Sequence, residues 1–399
     1  MGTYIWYQPQ MIQKIIMKLR KYFSSHKTFS LNCLVLLLLV SNFVNAKGKD
    51  SIINFIFTSD VHFGLTKDYF RGKENVSARD VDMAMMQVMN NLYTSKLPAD
   101  KGVLENKIIG GIDALVITGD IANRMEKGVQ SATASWKQFE EVFIGSNHLQ
   151  KANGTKAELL VVPGNHDMSN AIGFHRPMEP KKDAASMIGI YNLMFPNNKV
   201  SSFDSSLHRI HYSRDINGVH FIFLSLYPDS AERVWMEKDL KNIAITTPVF
   251  LFAHSIPDVE PRFFENPNGI HDINEEDKFE NLVPERYKDG RKVKGETTIE
   301  QNEFVDFIIK HPNIKAYFHG HENWTEYYKY TGPLKNINLI CIRTDSPMKG
   351  RISLKDEKKL AFELISVNIH SGLFTIREVL WNEGATSFNW GMTANYQLK

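Results

Sequence analysis

Ile52-Ile53-Asn54-Phe55-Ile56-Phe57-Thr58-Ser59-Asp60-Val61-His62 opens the folded part of the chain. A mostly apolar, β-prone run ends at once in a turn carrying a carboxylate and an imidazole. Such a run reads as a strand buried on both faces. The same unit recurs along the sequence. Ala114 to Ile117 ends at Thr118-Gly119-Asp120, and Leu159 to Val162 ends at Pro163-Gly164-Asn165-His166-Asp167. Val219 to Leu226 is a further run, Pro248 to Ala253 stops before His254, and Ile314 to Phe318 stops before His319-Gly320-His321.

Helical patterns lie between these strands. Ser77 with Asp80 forms a capping signature ahead of Val81, Met85, Val88 and Leu92 at helical spacing. Trp136, Phe139 and Phe143 mark a second amphipathic helix, Val234 to Ile243 a third, and Phe304 to Ile308 a fourth. The alternation predicts an α/β (α+β layered) fold, with two β-sheets packed as a sandwich and flanked by helices. Leu339 to Arg343, Leu360 to Ile369 and Leu373 to Val379 predict a C-terminal β-meander over residues 336–383. Residues 255–298 are polar and lack apolar periodicity, and are expected to form an insertion, either a lid over the site or a surface loop.

The chain has 399 residues. Its first 46 read as a secretory signal, with Lys14, Lys18, Arg20, Lys21 and Lys27 ahead of an apolar run from Leu34 to Val40 and a small-residue site at Val44-Asn45-Ala46. Met17 is an alternative start that gives a signal of ordinary length. The apolar run is short for a bilayer span, so no stable membrane span is expected after cleavage. Export to a periplasm or the extracellular space follows, with residues 47–399 as a single domain. Losing the signal removes five basic residues and no acidic one, which turns 47 basic against 45 acidic residues into a slight acidic excess. No basic stripe remains, which argues against a duplex nucleic-acid partner. Cys33 leaves with the signal and Cys341 stays alone, so no intramolecular disulfide is expected. The Lys-rich signal and the single mature cysteine fit bacterial export, in which the Asn-x-Ser/Thr sequons at Asn75, Asn153 and Asn323 would stay bare.

The polar clusters share one location, the carboxyl ends of buried strands, where α/β proteins place their chemistry. Asp60 and His62 stand two apart on what reads as an extended segment, so they are expected to point the same way. Asp120 offers two oxygens able to bridge two ions, Asn165 offers an amide oxygen, and His254, His319 and His321 offer imidazoles. Carboxylate, amide and imidazole together suit a pair of borderline divalent ions, whether Zn, Mn, Fe, Co or Ni.

With its five clusters in this order, the chain resembles the calcineurin-like metallophosphoesterase superfamily over about residues 52–325. The resemblance implies one ion held by Asp60, His62 and His321, a second held by Asn165, His254 and His319, and Asp120 between them. It further implies His166 as proton donor to the leaving group, with Asp167 orienting it. The expected chemistry is hydrolysis of a small-molecule phosphoester. Two cations about 3.5–4 Å apart acidify a bridging water, and the resulting hydroxide attacks phosphorus in line with the leaving oxygen. Arg124, four residues after Asp120, is a candidate phosphate contact. His175 and Arg176 are weaker candidates.

Departures from the family's branches narrow the expectation. No Tyr follows Asp120 where purple acid phosphatases keep one, and Asp167 stands where 5′-nucleotidases and protein phosphatases show Glu. The pattern falls closest to the group containing cyclic-nucleotide and other small phosphodiesterases. With Arg124 as the one candidate clamp, the chain is expected to be a phosphodiesterase or a broad-specificity phosphatase. The alternative is a non-catalytic metal-binding scaffold of the same fold. Tyr327, Tyr328 and Tyr330 follow the last cluster and read as core or rim aromatics of a strand, with stacking on a base or a sugar of the substrate as the alternative.

Overall fold

A computed structural model describes residues 52–122, 130–168, 183–204, 207–258 and 299–398. The expected signal at 1–46, Arg124, His175, Arg176 and residues 259–298 of the expected insertion lie outside these. Within them the opening run is strand β1 (Ile52–Thr58), followed by a small hairpin, β2 (Thr66–Phe70) and β3 (Lys73–Ser77), and helix α1 (Ala78–Asn91). Ser77 caps α1 as its spacing predicts, with Oγ accepting the Asp80 N–H at 3.3 Å. Next come β4 (Ala114–Thr118), α2 (Ala132–Phe139), β5 (Glu158–Val162), the short α3 (Asn165–Met168) and α4 (Ala185–Met194). The second half runs β6 (Tyr212–Ile216), β7 (Val219–Phe223), α5 (Ser230–Leu240), β8 (Val249–Phe252), α6 (Ile299–Lys310), β9 (Ile314–His319), β10 (Glu326–Tyr330) and β11 (Leu339–Arg343). β12 (Ala361–Asn368), β13 (Leu373–Leu380) and β14 (Asn389–Gln397) complete it.

These strands form two six-stranded sheets, ordered β14-β13-β12-β1-β4-β5 and β10-β11-β9-β8-β7-β6. In the first, β1, β4 and β5 run parallel; in the second, β7, β8, β9 and β11 do. β1, β4, β7 and β8, inside the sheets, are buried at every residue but the half-buried Ile52, which is why their sequences show no polar alternation. Aromatic packing joins the sheets. The Phe55 ring meets Phe221, Phe252 and Phe318 edge-on at 5.2, 5.9 and 5.6 Å between centroids. Phe57 meets Phe318 at 5.3 Å, and Phe250 meets Phe374 at 5.1 Å. The interlocked rings set how the strand ends of one sheet stand against those of the other.

The C-terminal part differs from the expected meander. β11 belongs to the second sheet, between β10 and β9, whereas β12, β13 and β14 form an antiparallel run in the first. The chain crosses between the sheets after Arg343. The crossing falls at Thr344 to Gly350, a buried polar stretch with no periodicity to announce it.

Candidate metal centre

β1 and β4 in one sheet, and β8 and β9 in the other, release their chains toward a common site. The exits are sharp. Asp60, His62, Asp120 and His321 all take positive φ, at 56°, 48°, 49° and 71°. For residues other than glycine this region costs roughly 1–2 kcal/mol each, and it persists only where the surroundings enforce it. Here the Asp60 N–H donates to the Gly119 carbonyl at 3.0 Å and the His62 N–H to the Asp120 carbonyl at 2.9 Å. Asp60 and His62 therefore converge through two successive left-handed turns, not through the alternation of an extended segment. Two glycines let the loops close. A Cβ on Gly164 would run into Asp120, and one on Gly320 would run into Ser59 and the Asp60 carboxylate.

Asp120 occupies the middle. Its Oδ1 accepts the His166 backbone N–H at 2.9 Å and lies 3.4 Å from His254 Nε2. Its Oδ2 lies 3.6 Å from His62 Nε2 and 3.8 Å from His166 Nε2. The metal-competent atoms fall into two overlapping groups, His62 with Asp120 and His166, and Asp60 with Asp120 and His254. Asn165 and His321 extend the second group: Asn165 Oδ1 lies 3.0 Å from His254 Nε2 and 3.1 Å from His321 Nδ1, and the two imidazole nitrogens are 3.2 Å apart. His254 Nδ1 sits 2.7 Å from the Thr118 carbonyl, which orients the ring with Nε2 toward the group.

Charge is tightly balanced in this buried space. Burial, with Asp120 beside it, lifts Asp60 to about 6 against the pull of His254. Burial also opposes ionisation of Asp120, yet His166, His254 and His62 hold its carboxyl well below the ordinary range. Burial disfavours a charged His254, but Asp120 and then Asp60 override it and lift the imidazole to about 9. The carboxylates thus draw positive charge onto the neighbouring rings, the role a bound cation fills. Asp60 Oδ1 is buried and accepts no hydrogen bond. A buried acceptor left this way is costly unless an ion or water serves it. The donor set and this open oxygen fit divalent ions.

Two expectations change. The imidazole beside Asn165 and His254 is His321, whereas His319 points elsewhere, its Nε2 2.8 Å from the Tyr328 hydroxyl and its Nδ1 3.0 Å from the Gly320 carbonyl. Burial pushes His319 down to about 3 and keeps it neutral. His319 is the last residue of β9, and His321 follows the strand, past Gly320. Asp167, expected to orient His166, instead accepts three backbone N–H groups, from Ile121 (3.0 Å), Ala122 (2.8 Å) and Gly164 (3.0 Å). It ties the loop after β4 to the loop after β5.

Other candidates find structural places. Tyr327 donates to the buried Glu363 carboxylate, Tyr328 meets His319, and Tyr330 is buried. The Asn323 amide donates to the His321 carbonyl at 3.1 Å, turned into the protein. A residue the sequence did not single out also reaches the site: Lys349 Nζ lies 3.5 Å from His166 Nε2.

The chain matches the calcineurin-like phosphoesterase family over residues 53–324. No curated protein matches it. Among solved structures it is similar to PhoD, at 9% identity over 87% of this chain and 70% of that one, with a TM-score of 0.47. It is also similar to a purple acid phosphatase from yellow lupin (Lupinus luteus) seeds, at 11% identity over 88% and 54% of the two chains, with a TM-score of 0.45. A dimetal phosphatase from Danio rerio is a third, at 9% identity over 85% and 98%, with a TM-score of 0.47.

Proposed function

Because the chain belongs to the calcineurin-like phosphoesterase family, and is a metal-dependent phosphoric ester hydrolase with a dinuclear divalent site, we propose that it is an exported enzyme cleaving small phosphoesters broadly. The observation that carries the reading is the Asp120 carboxylate, which faces His254 with one oxygen and His62 and His166 with the other. Asp120 is the residue two ions would share. Asp60, Asn165, His254 and His321 would hold one side, and His62 the other. Divalent ions held by these residues would supply Lewis acidity toward the phosphoryl group and would acidify water to the hydroxide that hydrolysis needs.

The protein's own groups do the rest. His166 is held through its backbone by Asp120 and stacks edge-on against His62, with 4.7 Å between ring centroids. Protonated at Nε2, it donates to the departing oxygen. Asp167 contributes by fixing the two loops that carry Asp120 and His166. The metal could be Zn, Mn, Fe, Co or Ni, since imidazole and oxygen ligands suit all of them.

Metal-loaded protein should turn over p-nitrophenyl phosphate or bis-p-nitrophenyl phosphate, and a chelator should abolish that turnover. Full metal loading with neither ester cleaved would instead support the non-catalytic scaffold. The basic and apolar segments before Ala46 support export. Protein recovered from its native host should have an intact mass that begins at Lys47, and a retained N-terminus would overturn export.

A further inference from the structure

Ser346 lies in the crossing between the sheets, Thr344 to Gly350, and has no exposed surface. Its hydroxyl accepts the N–H groups of Met348 and Lys349 at 3.2 and 2.9 Å, and stands 2.7 Å from the Asp60 carbonyl. A hydroxyl offers one donor and two acceptor positions. The two N–H groups fill the acceptor positions, so its hydrogen goes to the Asp60 carbonyl. The stretch that carries Ser346 is itself held. The Gly350 N–H donates to the Ser346 carbonyl at 3.1 Å, the Lys67 ammonium to the Pro347 carbonyl at 2.9 Å, and the Arg351 N–H to the Asn323 carbonyl at 2.8 Å. The last of these joins the crossing to the loop bearing His321.

Asp60 needs such support. It is left-handed, with φ at 56°, a region that a residue with a side chain keeps only where its surroundings enforce it. Its N–H donates to the Gly119 carbonyl at 3.0 Å, and its Oδ2 accepts the His321 N–H at 2.9 Å. The Ser346 hydroxyl fixes a third point, the peptide plane between Asp60 and Val61. That plane sets the rotation about the Asp60 Cα–C bond, which neither of the other two contacts holds. With all three in place, Oδ1 is the carboxylate oxygen left open, buried and 3.7 Å from His62 Nε2. His62 has an anchor of its own, since its N–H donates to the Asp120 carbonyl at 2.9 Å. Loss of the Ser346 hydroxyl therefore acts on Asp60 first. One neutral hydrogen bond is of the same order as the strain it opposes, so its removal is enough to let the turn relax.

We propose that Ser346 is a positioning residue for the metal centre. Its hydroxyl holds the left-handed peptide of Asp60, so that Oδ1 stays aimed at the ion Asp60 would hold with Asn165, His254 and His321. The proposal rests on the ligand assignment above and deepens it.

The test titrates metal-free wild type, Ser346→Ala, Ser346→Cys and Ser366→Ala with Co²⁺, followed by calorimetry and visible absorption. Ser366 is the control, an equally buried hydroxyl that donates to Asn54 Oδ1 at 2.8 Å near the start of β1. Ser346→Ala should lower the affinity for one ion about 10–100-fold, the range for loss of an outer-shell partner, and leave the other within about threefold. The absorption band of the weakened ion should shift with it. Ser346→Cys keeps a weaker donor at the same place, so it should fold and bind with intermediate affinity. Ser366→Ala should lose stability yet bind both ions as wild type does. Wild-type affinity in Ser346→Ala would overturn the assignment, and so would wild-type affinity in Ser346→Cys where Ser346→Ala does not fold. An equal loss for both ions, or the same loss in Ser366→Ala, would overturn it as well. Failure of the hydrolase reading looks different: wild type would bind two Co²⁺ and cleave neither ester, and the binding comparison would still decide the role of Ser346. Wild type that binds no Co²⁺ would overturn the assignment together with the centre.

Discussion

His220 and His254 make an instructive pair. Both are buried histidines at the second sheet, one in β7 and the other two residues past the end of its parallel neighbour β8, and both face carboxylates. His220 is satisfied at each nitrogen: Nδ1 lies 2.7 Å from Asp215 and Nε2 2.7 Å from Asp239. At His254 one nitrogen meets the Thr118 carbonyl, but the other faces Asn165, Asp120 and His321 together, at 3.0, 3.4 and 3.2 Å. One lone pair or one proton cannot serve three groups. The first assembly is complete as protein, and the second becomes complete when a cation enters. Composition does not separate them, since each is histidine among acids. Function lies where the chain has crowded polar atoms beyond what they can do for one another.

The change that breaks this contrast most severely is Asp120→Asn. It removes charge from both overlapping groups at once, so metal content should drop for two ions and kcat/KM should fall on the order of 10³-fold or more, about 4 kcal/mol. Asp60→Asn should cost less, because Asp60 belongs to one group. Metal analysis and steady-state kinetics on the two variants decide it, and equal losses would mean that Asp120 is not the shared residue.

The next test divides two histidines two residues apart. His321→Asn should weaken metal binding by more than the roughly 10–100-fold that follows loss of an outer-shell partner. His319→Asn should leave metal affinity within about threefold, since His319 contacts Tyr328 and the Gly320 carbonyl. Metal titration followed by calorimetry reads both. A reversed order would restore His319 as the ligand.

Strand ends were readable because a strand buried on both faces writes itself as an unbroken apolar run, and polar residues appear only where it leaves the core. That places Asp60, Asp120, Asn165 and His254 at one edge from sequence alone. It does not say how they turn there. Asp60 and His62 meet through left-handed backbone that their side chains do not advertise, and in His319-Gly320-His321 the end of β9 decides which imidazole lies beside Asn165 and His254. Asp167 sits beside a histidine in sequence, yet its carboxylate is taken by backbone N–H groups of a loop 45 and 46 residues away. Lys349 is 183 residues from His166 and carries no motif, so only the crossing between the sheets brings it in.

The smallest effect sharpens the satisfied side of the contrast. Burial disfavours a charged His220, but Asp239 and Asp215 outweigh it and raise its pKa above 6.5. Asp239 moves the other way: burial works against its ionisation, and the His220 and Ser213 hydrogen bonds hold its carboxyl below the usual value. The raised imidazole stabilises the fold fully below its unfolded pKa of about 6.5, and that contribution is lost as pH rises through the higher folded value. The depressed carboxylate contributes above its unfolded pKa of about 3.9 and loses that contribution as pH falls through the lower folded value. His220→Gln should therefore cost about 1–3 kcal/mol near pH 6, the range for a hydrogen-bonded charged group. The deficit relative to wild type should narrow as pH rises toward 9. Denaturant unfolding of both proteins across that range, at constant metal, measures it. Bound metal and kcat should stay unchanged, because His220 touches none of the centre's ligands. A deficit flat with pH would show that His220 is held neutral, by hydrogen bonds alone.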